Sequence, residues 1–178
     1  MPSFTPEYAL GIRERDGAYS IFHMQSNAQL WSYENLRMLR ELPAGYAPGH
    51  ESEIADAIAE YESELPVDYH QVETVARCEA SISPELGERL LGLWEAMLLE
   101  THYGETPSLG PDGTDYHFSM TSHGRLLAGK VWDPVPASKT GAMVSITETM
   151  RNLCFTGDTN LVAQLEPQLD ALQAQLTP

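Results

Sequence analysis

Residues 112–134 read Asp112-Gly113-Thr114-Asp115-Tyr116-His117-Phe118-Ser119-Met120-Thr121-Ser122-His123-Gly124-Arg125-Leu126-Leu127-Ala128-Gly129-Lys130-Val131-Trp132-Asp133-Pro134. Two runs rich in aromatic and branched residues flank Ser122-His123-Gly124, a short turn with glycine where a positive φ is needed. The stretch therefore predicts a β-hairpin. Asp112-Gly113 opens its first strand, and Pro134 closes the second because proline cannot continue a ladder. Tyr116, Phe118, Val131 and Trp132 are expected to contribute to the core. A hairpin cannot bury both faces equally, so at least one of the four belongs on the outer face.

Immediately upstream, Ser83-Pro84-Glu85 is a helix start: serine as N-cap, proline at the first helical position, glutamate in the first turn. Leu86, Leu90, Leu93, Trp94, Met97 and Leu98 then give a wide apolar face, which predicts a helix over 84–101 as the central packing element. A stripe of this kind is core, not a cofactor pocket. Residues 104–111 are rich in glycine and proline and read as a loop. Downstream, 140–153 predicts a helix on Met143, Ile146, Thr147 and Met150, which Gly157-Asp158 ends. Residues 160–176 predict a last helix on Leu161, Leu165, Leu169, Leu172 and Leu176. Pro167 inside it should kink the helix or begin a new one.

The N-terminal part repeats the hairpin logic. Runs 8–15 and 18–24 flank Asp16-Gly17, a strong short hairpin signal. Tyr8, Leu10 and Ile12 alternate with Ala9, Gly11 and Arg13 and suggest one buried face. Residues 27–42 read as a helix using Leu30, Trp31, Leu36, Met38 and Leu39, ended by Pro43. A loop at 44–49 leads to a second helix from Glu51, where Ile54, Ile58, Tyr61 and Leu65 form one stripe and Pro66 terminates it. Residues 69–80 are a candidate strand. The order predicts an α+β fold, with antiparallel hairpins and sheet packed against several helices. At 178 residues the chain fits one domain, within which 1–43 can be set apart as a hairpin–helix subdomain.

Charge is the strongest compositional signal: 26 acidic residues stand against 10 basic ones, for a formal net charge of −16. It is concentrated. Glu51, Glu53, Asp56, Glu60, Glu62 and Glu64 fall in residues 43–67, which hold no lysine or arginine. Such a field repels phosphate backbones and disfavours nucleic acid as a partner, while it attracts a basic protein. No run approaches the ~20 apolar residues that span a bilayer, and no secretory signal is visible at the N-terminus, so a cytoplasmic protein without a membrane partner is expected. Cys78 and Cys154 are far apart in apolar surroundings and read as two reduced, buried thiols.

Recognised chemistry is thin. The six histidines form no H-E-x-x-H, and the chain holds no G-x-S-x-G, no G-x-x-x-x-G-K-[ST] and no G-x-G-x-x-G after a strand. Only two lysines exist, Lys130 and Lys139. No catalytic residue, metal or cofactor is expected. His102, Asp112 and His117 could hold a divalent metal if the 104–111 loop folds back, which defines the enzymatic alternative, a metal-assisted hydrolase.

The run Trp94-x-x-Met97-Leu98…Tyr103…Asp112-Gly113-Thr114…Tyr116-x-Phe118…Ala128-Gly129…Val131-Trp132-x-Pro134 resembles a pattern in small uncharacterised bacterial proteins, some of them similar to immunity proteins that neutralise toxins. The resemblance covers about residues 86–154 and carries over no site residue. It implies a toxin-neutralising role. Together with the charge it gives the leading expectation: a non-enzymatic, acidic, protein-binding domain whose contact residues are Glu51, Glu53, Asp56, Glu60 and Glu64. A third reading is a structural or assembly component that self-associates through the apolar terminal helix.

Overall fold

The computed structural model describes residues 8–26, 36–41, 48–64, 74–101 and 113–177. The described residues include two hairpins. Strands β1 (Tyr8–Arg15) and β2 (Ala18–Ser26) are joined by Asp16-Gly17, whose φ values of 53° and 79° are those of the tight two-residue turn that suits the twist of paired strands. They continue into β3 (Thr74–Ile82) as a three-stranded sheet in the order β1-β2-β3. Strands β4 (Asp115–Ser122) and β5 (Arg125–Trp132) form a separate antiparallel pair, in a register that sets Ser122 opposite Arg125 and Asp115 opposite Trp132. The expected α+β fold with antiparallel strands is present.

Among the described residues, the helices with printed bounds are α1 (Glu51–Glu64), α2 (Pro84–Leu99), α3 (Lys139–Thr156) and α4 (Asn160–Leu176). Residues 36–40 are also helical. Local chemistry accounts for the ends. The Ser83 hydroxyl accepts the Leu86 N–H at 3.2 Å, and the Ser138 hydroxyl accepts the Gly141 N–H at 3.0 Å, each satisfying a donor the first helical turn would leave orphaned. Gly157 ends α3 in the left-handed conformation. Helix α4 continues through Pro167, so no new helix begins there, one of the two outcomes expected of it. Pro167 and Ala163 are both on the exposed side. Water can therefore meet the carbonyl that proline leaves without its helical N–H.

The chain divides into two compact units, one built mainly from Leu10–His23 and Cys78–Pro178, the other mainly from Met24–Arg77. The first holds the main core. Leu86, Leu90, Leu93, Trp94 and Leu98 from α2 meet Met143, Ile146, Met150 and Leu153 from α3 and Leu165, Leu169 and Leu172 from α4, with Ile21 from β2. Leu10, Ile12, Phe118, Met120 and Leu127 pack against this cluster from the strands. Leu165, Leu169 and Leu172 are fully buried, so the apolar stripe of α4 is used inside its own unit. Buried Thr149 of α3 accepts a hydrogen bond from the Gln168 amide of α4 at 3.2 Å.

The hairpin distributes its aromatics as pleating requires. Tyr116, Phe118 and Val131 are half-buried on the inner face, and Phe118 meets Trp94 edge-to-face at 5.8 Å between ring centroids. Trp132 pairs opposite exposed Asp115 on the outer face and is half-buried because its ring lies against Gly113. The Ser122 hydroxyl hydrogen-bonds the Glu95 carboxylate and ties the end of β4 to α2.

Three expectations need correction. Cys78 and Cys154 are not free thiols; they form a disulfide across 76 residues of sequence. Burial alone cannot separate the two states, since a half-cystine is as apolar as a thiol. Met38 is 51% exposed and Tyr8 is exposed, so neither serves the apolar face assigned to it. Leu30, Trp31, Leu65 and the 104–111 loop lie outside the described residues, as does the Tyr61 side chain.

Candidate functional sites

Helix α1 presents its carboxylates as the sequence pattern requires. Ile54, Ala57 and Ile58 are half-buried along one side, and Glu51, Glu53, Asp56, Glu60 and Glu62 are exposed. The Glu64 side chain lies outside the described residues. Arg40 and His50 contact this face. The Arg40 guanidinium reaches Glu62 at 2.5 Å, and His50 Nδ1 lies 2.7 Å from the Glu53 carboxylate. Both pairs are solvent-exposed and contribute little to stability, on the order of 0–1 kcal/mol. Acidic residues in the first turn, Glu51 and Glu53, complement the positive end of the helix. Asp56 and Glu60 sit four apart, where like charges repel.

Of the three residues of the metal alternative, only His117 is described. It is exposed on the outer face of β4, and His102 and Asp112 lie outside the described residues. Among the described residues, no three His, Cys, Asp or Glu side chains are grouped to hold a metal ion. His123 forms the tip of the β4–β5 turn and is exposed.

A second site was not expected from the sequence. A cavity of about 310 Å³ opens between α2, the β4–β5 hairpin and the start of α3. Trp94, Met97, Leu98, Phe118, Val131 and Met143 give it an apolar wall. The polar lining comes from Glu100 and Thr101 at the end of α2, Lys130 of β5, and Ser138, Lys139 and Thr140 at the N-terminus of α3. At Gly129 the hairpin backbone comes so close to α2 that a Cβ would meet Thr101 Oγ1 at 3.1 Å. Lys139 Nζ lies 2.7 Å from Glu100, and Lys130 Nζ lies 3.0 Å from Asp115.

Trp94 is the anomaly in this wall. It is 8% exposed, and its indole Nε1 is buried with no hydrogen-bond partner among the described residues. A buried donor left unmade costs about 1–3 kcal/mol, so such groups need a reason. The helical stripe hid it, because a tryptophan at core spacing reads as core. A usable signal was present all the same. The chain's two lysines fall within ten residues of each other in an otherwise acidic sequence, and both line this cavity. Comparison with known protein families, curated proteins and solved structures finds no match.

Proposed function

We propose that this is a non-enzymatic binding protein that neutralises a basic bacterial effector by direct contact, as an immunity protein does, with the outward face of α1 in the contact. The observation that supports this best is the row Glu51, Glu53, Asp56 and Glu60, exposed along one helix whose Ile54 and Ile58 are half-buried. Solubility alone requires no such concentration in one segment. A partner that supplies lysine or arginine relieves the repulsion along the helix and meets it faster through steering. The disulfide between Cys78 and Cys154 supports an oxidising compartment in place of the cytosol, where thiols are kept reduced. The effector would then be met outside the cytosol.

The test begins by co-purifying the chain with the proteins encoded beside it and measuring association with the basic partner recovered. Wild-type association should slow steeply as salt is raised, because exposed charges are screened beyond about 8 Å at physiological ionic strength. The triple charge reversal Glu53→Lys, Asp56→Lys and Glu60→Lys should abolish the salt dependence and slow the low-salt rate. An unchanged low-salt rate would remove α1 from the interface.

A further inference from the structure

We infer that the outer edge of β4 is an interaction surface for a second copy of this chain, paired strand to strand and independent of the acidic helix. Strands β4 and β5 form a sheet of their own, and among the described residues nothing pairs with the other edge of β4. The register decides which backbone groups that edge presents. Ser122 and Arg125 close the turn, and at the far end the Asp133 N–H donates to the Thr114 carbonyl at 3.0 Å. An antiparallel ladder alternates, so Tyr116, Phe118 and Met120 turn their N–H and C=O toward β5, as Thr114 does. His117, Ser119 and Thr121 turn theirs away from it. Such a row of backbone donors and acceptors is a template for another strand.

This edge lacks the usual protection, which is charge, proline or a bulge. Strand β1 carries Arg13, Glu14 and Arg15, β3 carries Arg77 and Glu79, and β5 carries Arg125 and Lys130. From Tyr116 to Ser122, β4 holds no Asp, Glu, Lys, Arg or Pro, and its pairing with β5 runs without a bulge. In a chain of formal charge −16, this is a stretch that can meet its own copy without repulsion.

The order of residues in β4 selects a second copy as the occupant. Antiparallel pairing about a two-fold axis at Ser119 sets His117 opposite Thr121 of the copy and Phe118 opposite Met120 of the copy. The outward amides of His117, Ser119 and Thr121 then bond one another across the axis. The faces agree as well, since His117, Ser119 and Thr121 are exposed on the outer face while Phe118 and Met120 are half-buried on the inner one. Phenylalanine opposite methionine is a favourable cross-strand pair. The ends are complementary in charge. Asp115 of each strand faces the other copy's turn, Ser122-His123-Gly124-Arg125, which holds a cation and no acid. Because the same edge is used on both sides, the assembly closes at two chains and does not grow into a fibre.

The experiment sediments the full oxidised chain at concentrations up to about 1 mM, at low salt and at about 1 M salt, and follows amide hydrogen exchange residue by residue. A monomer–dimer equilibrium is expected, with a dissociation constant in the micromolar to millimolar range, since one strand edge is smaller than a standard interface. Salt should tighten the dimer severalfold by screening two bodies of charge −16 from each other. That is the reverse of the response expected for a basic partner on α1, and the α1 charge reversal should leave the dimer in place, so the two readings fail separately. With rising concentration the His117, Ser119 and Thr121 amides should gain protection. Those of Phe118 and Met120, already bonded to β5, should change little.

Ser119→Lys sets two ammonium groups face to face at the axis and should weaken the dimer severalfold. Ser119→Pro removes an outward donor while keeping every β4–β5 bond, and should abolish pairing. Protected Phe118 and Met120 amides in either variant show that its hairpin is intact. A chain that stays monomeric at about 1 mM in about 1 M salt would overturn the inference. So would a dimer that leaves the His117, Ser119 and Thr121 amides unprotected, or one that Ser119→Lys does not weaken.

Discussion

Cys78 of β3 and Cys154 of α3 are joined by a disulfide, their Cα atoms 5.7 Å apart across 76 residues of sequence. Cys154 is buried in the main core and Cys78 packs against it, so the bond fastens the three-stranded sheet to the helix that faces it. Closing a loop of that length restricts the unfolded chain by about 4 kcal/mol on the chain-entropy estimate. The double variant Cys78→Ala/Cys154→Ala should lose stability of that order in urea denaturation. The native oxidised protein should show no titratable thiol. A loss below about 1 kcal/mol, or two reactive thiols before reduction, would dispose of the bond.

Two glycines of α2 should respond to alanine with opposite signs. Gly92 is exposed and a Cβ there meets nothing within 4 Å, so Gly92→Ala should gain about 0.5–1 kcal/mol through helix propensity. Gly87 is buried beneath Tyr19, and a Cβ would fall 2.3 Å from its Cδ1. Gly87→Ala should therefore lose about 1–3 kcal/mol by overpacking, more than propensity returns. Parallel thermal melts decide it. Stabilisation by both substitutions would show that Tyr19 does not seat on α2.

Tyr19 also gives the fold an alkaline limb. Desolvation pushes its phenol above the ordinary value of 10.0, and the Glu88 and Glu14 carboxylates push it further. The fold thus favours the neutral phenol. Its contribution is complete below pH of about 10 and is lost as pH climbs through the raised folded value. Tyr19→Phe should flatten the fall of stability above pH of about 10, seen as urea midpoints measured against pH. An identical alkaline slope in the variant would refute this assignment.

The β4–β5 turn depends on two left-handed residues, His123 at φ 49° and Gly124 at φ 73°. A Cβ at Gly124 meets nothing, so Gly124→Ala isolates the backbone cost of about 1–2 kcal/mol. His123→Asn should be neutral or slightly stabilising because asparagine tolerates this conformation, whereas His123→Val should lose more than either. Equal stability of the asparagine and valine variants in denaturant titrations would mean that position 123 leaves the left-handed region.

Local chemistry made most of this fold legible. Asp16-Gly17 places the first hairpin turn to the residue, Ser122-His123-Gly124 places the second to within one residue because Ser122 ends β4, and Ser83-Pro84 places the start of α2. The failures are tertiary. Nothing near Cys78 reveals that Cys154 lies beside it, because only the packing of α3 on the sheet brings them together. Met38 has the same apolar character as Leu36, yet Leu36 is buried and Met38 exposed, a choice made by what covers each position and not by side-chain type. On α1 the carboxylates lie where the helical period sends them. The cavity was harder to read for the opposite reason, since its wall is drawn from α2, the β4–β5 hairpin and the start of α3.

Arg89 of α2 supplies the last expected outcome. Its guanidinium reaches Glu166 of α4 at 2.5 Å and also bonds Asp170, four residues further along the same helix. Arg89 is 26% exposed and the two acids 51% and 74%, so each pair is discounted for solvent to about 0.2–1 kcal/mol. The shared cation also offsets repulsion between carboxylates at i,i+4, worth a few tenths of a kcal/mol. Arg89→Gln should therefore cost about 1 kcal/mol at low salt and distinctly less at 1 M salt, where the Debye length is about 3 Å. Arg89→Lys keeps the charge without the planar fork and should recover only part of the loss. Adding Glu166→Gln and Asp170→Asn to Arg89→Gln should cost little more, because the partners have already lost their cation. A loss that is the same at both salt concentrations would assign Arg89 to packing of its aliphatic stem, and a fully additive combination would break the clamp into unrelated contacts.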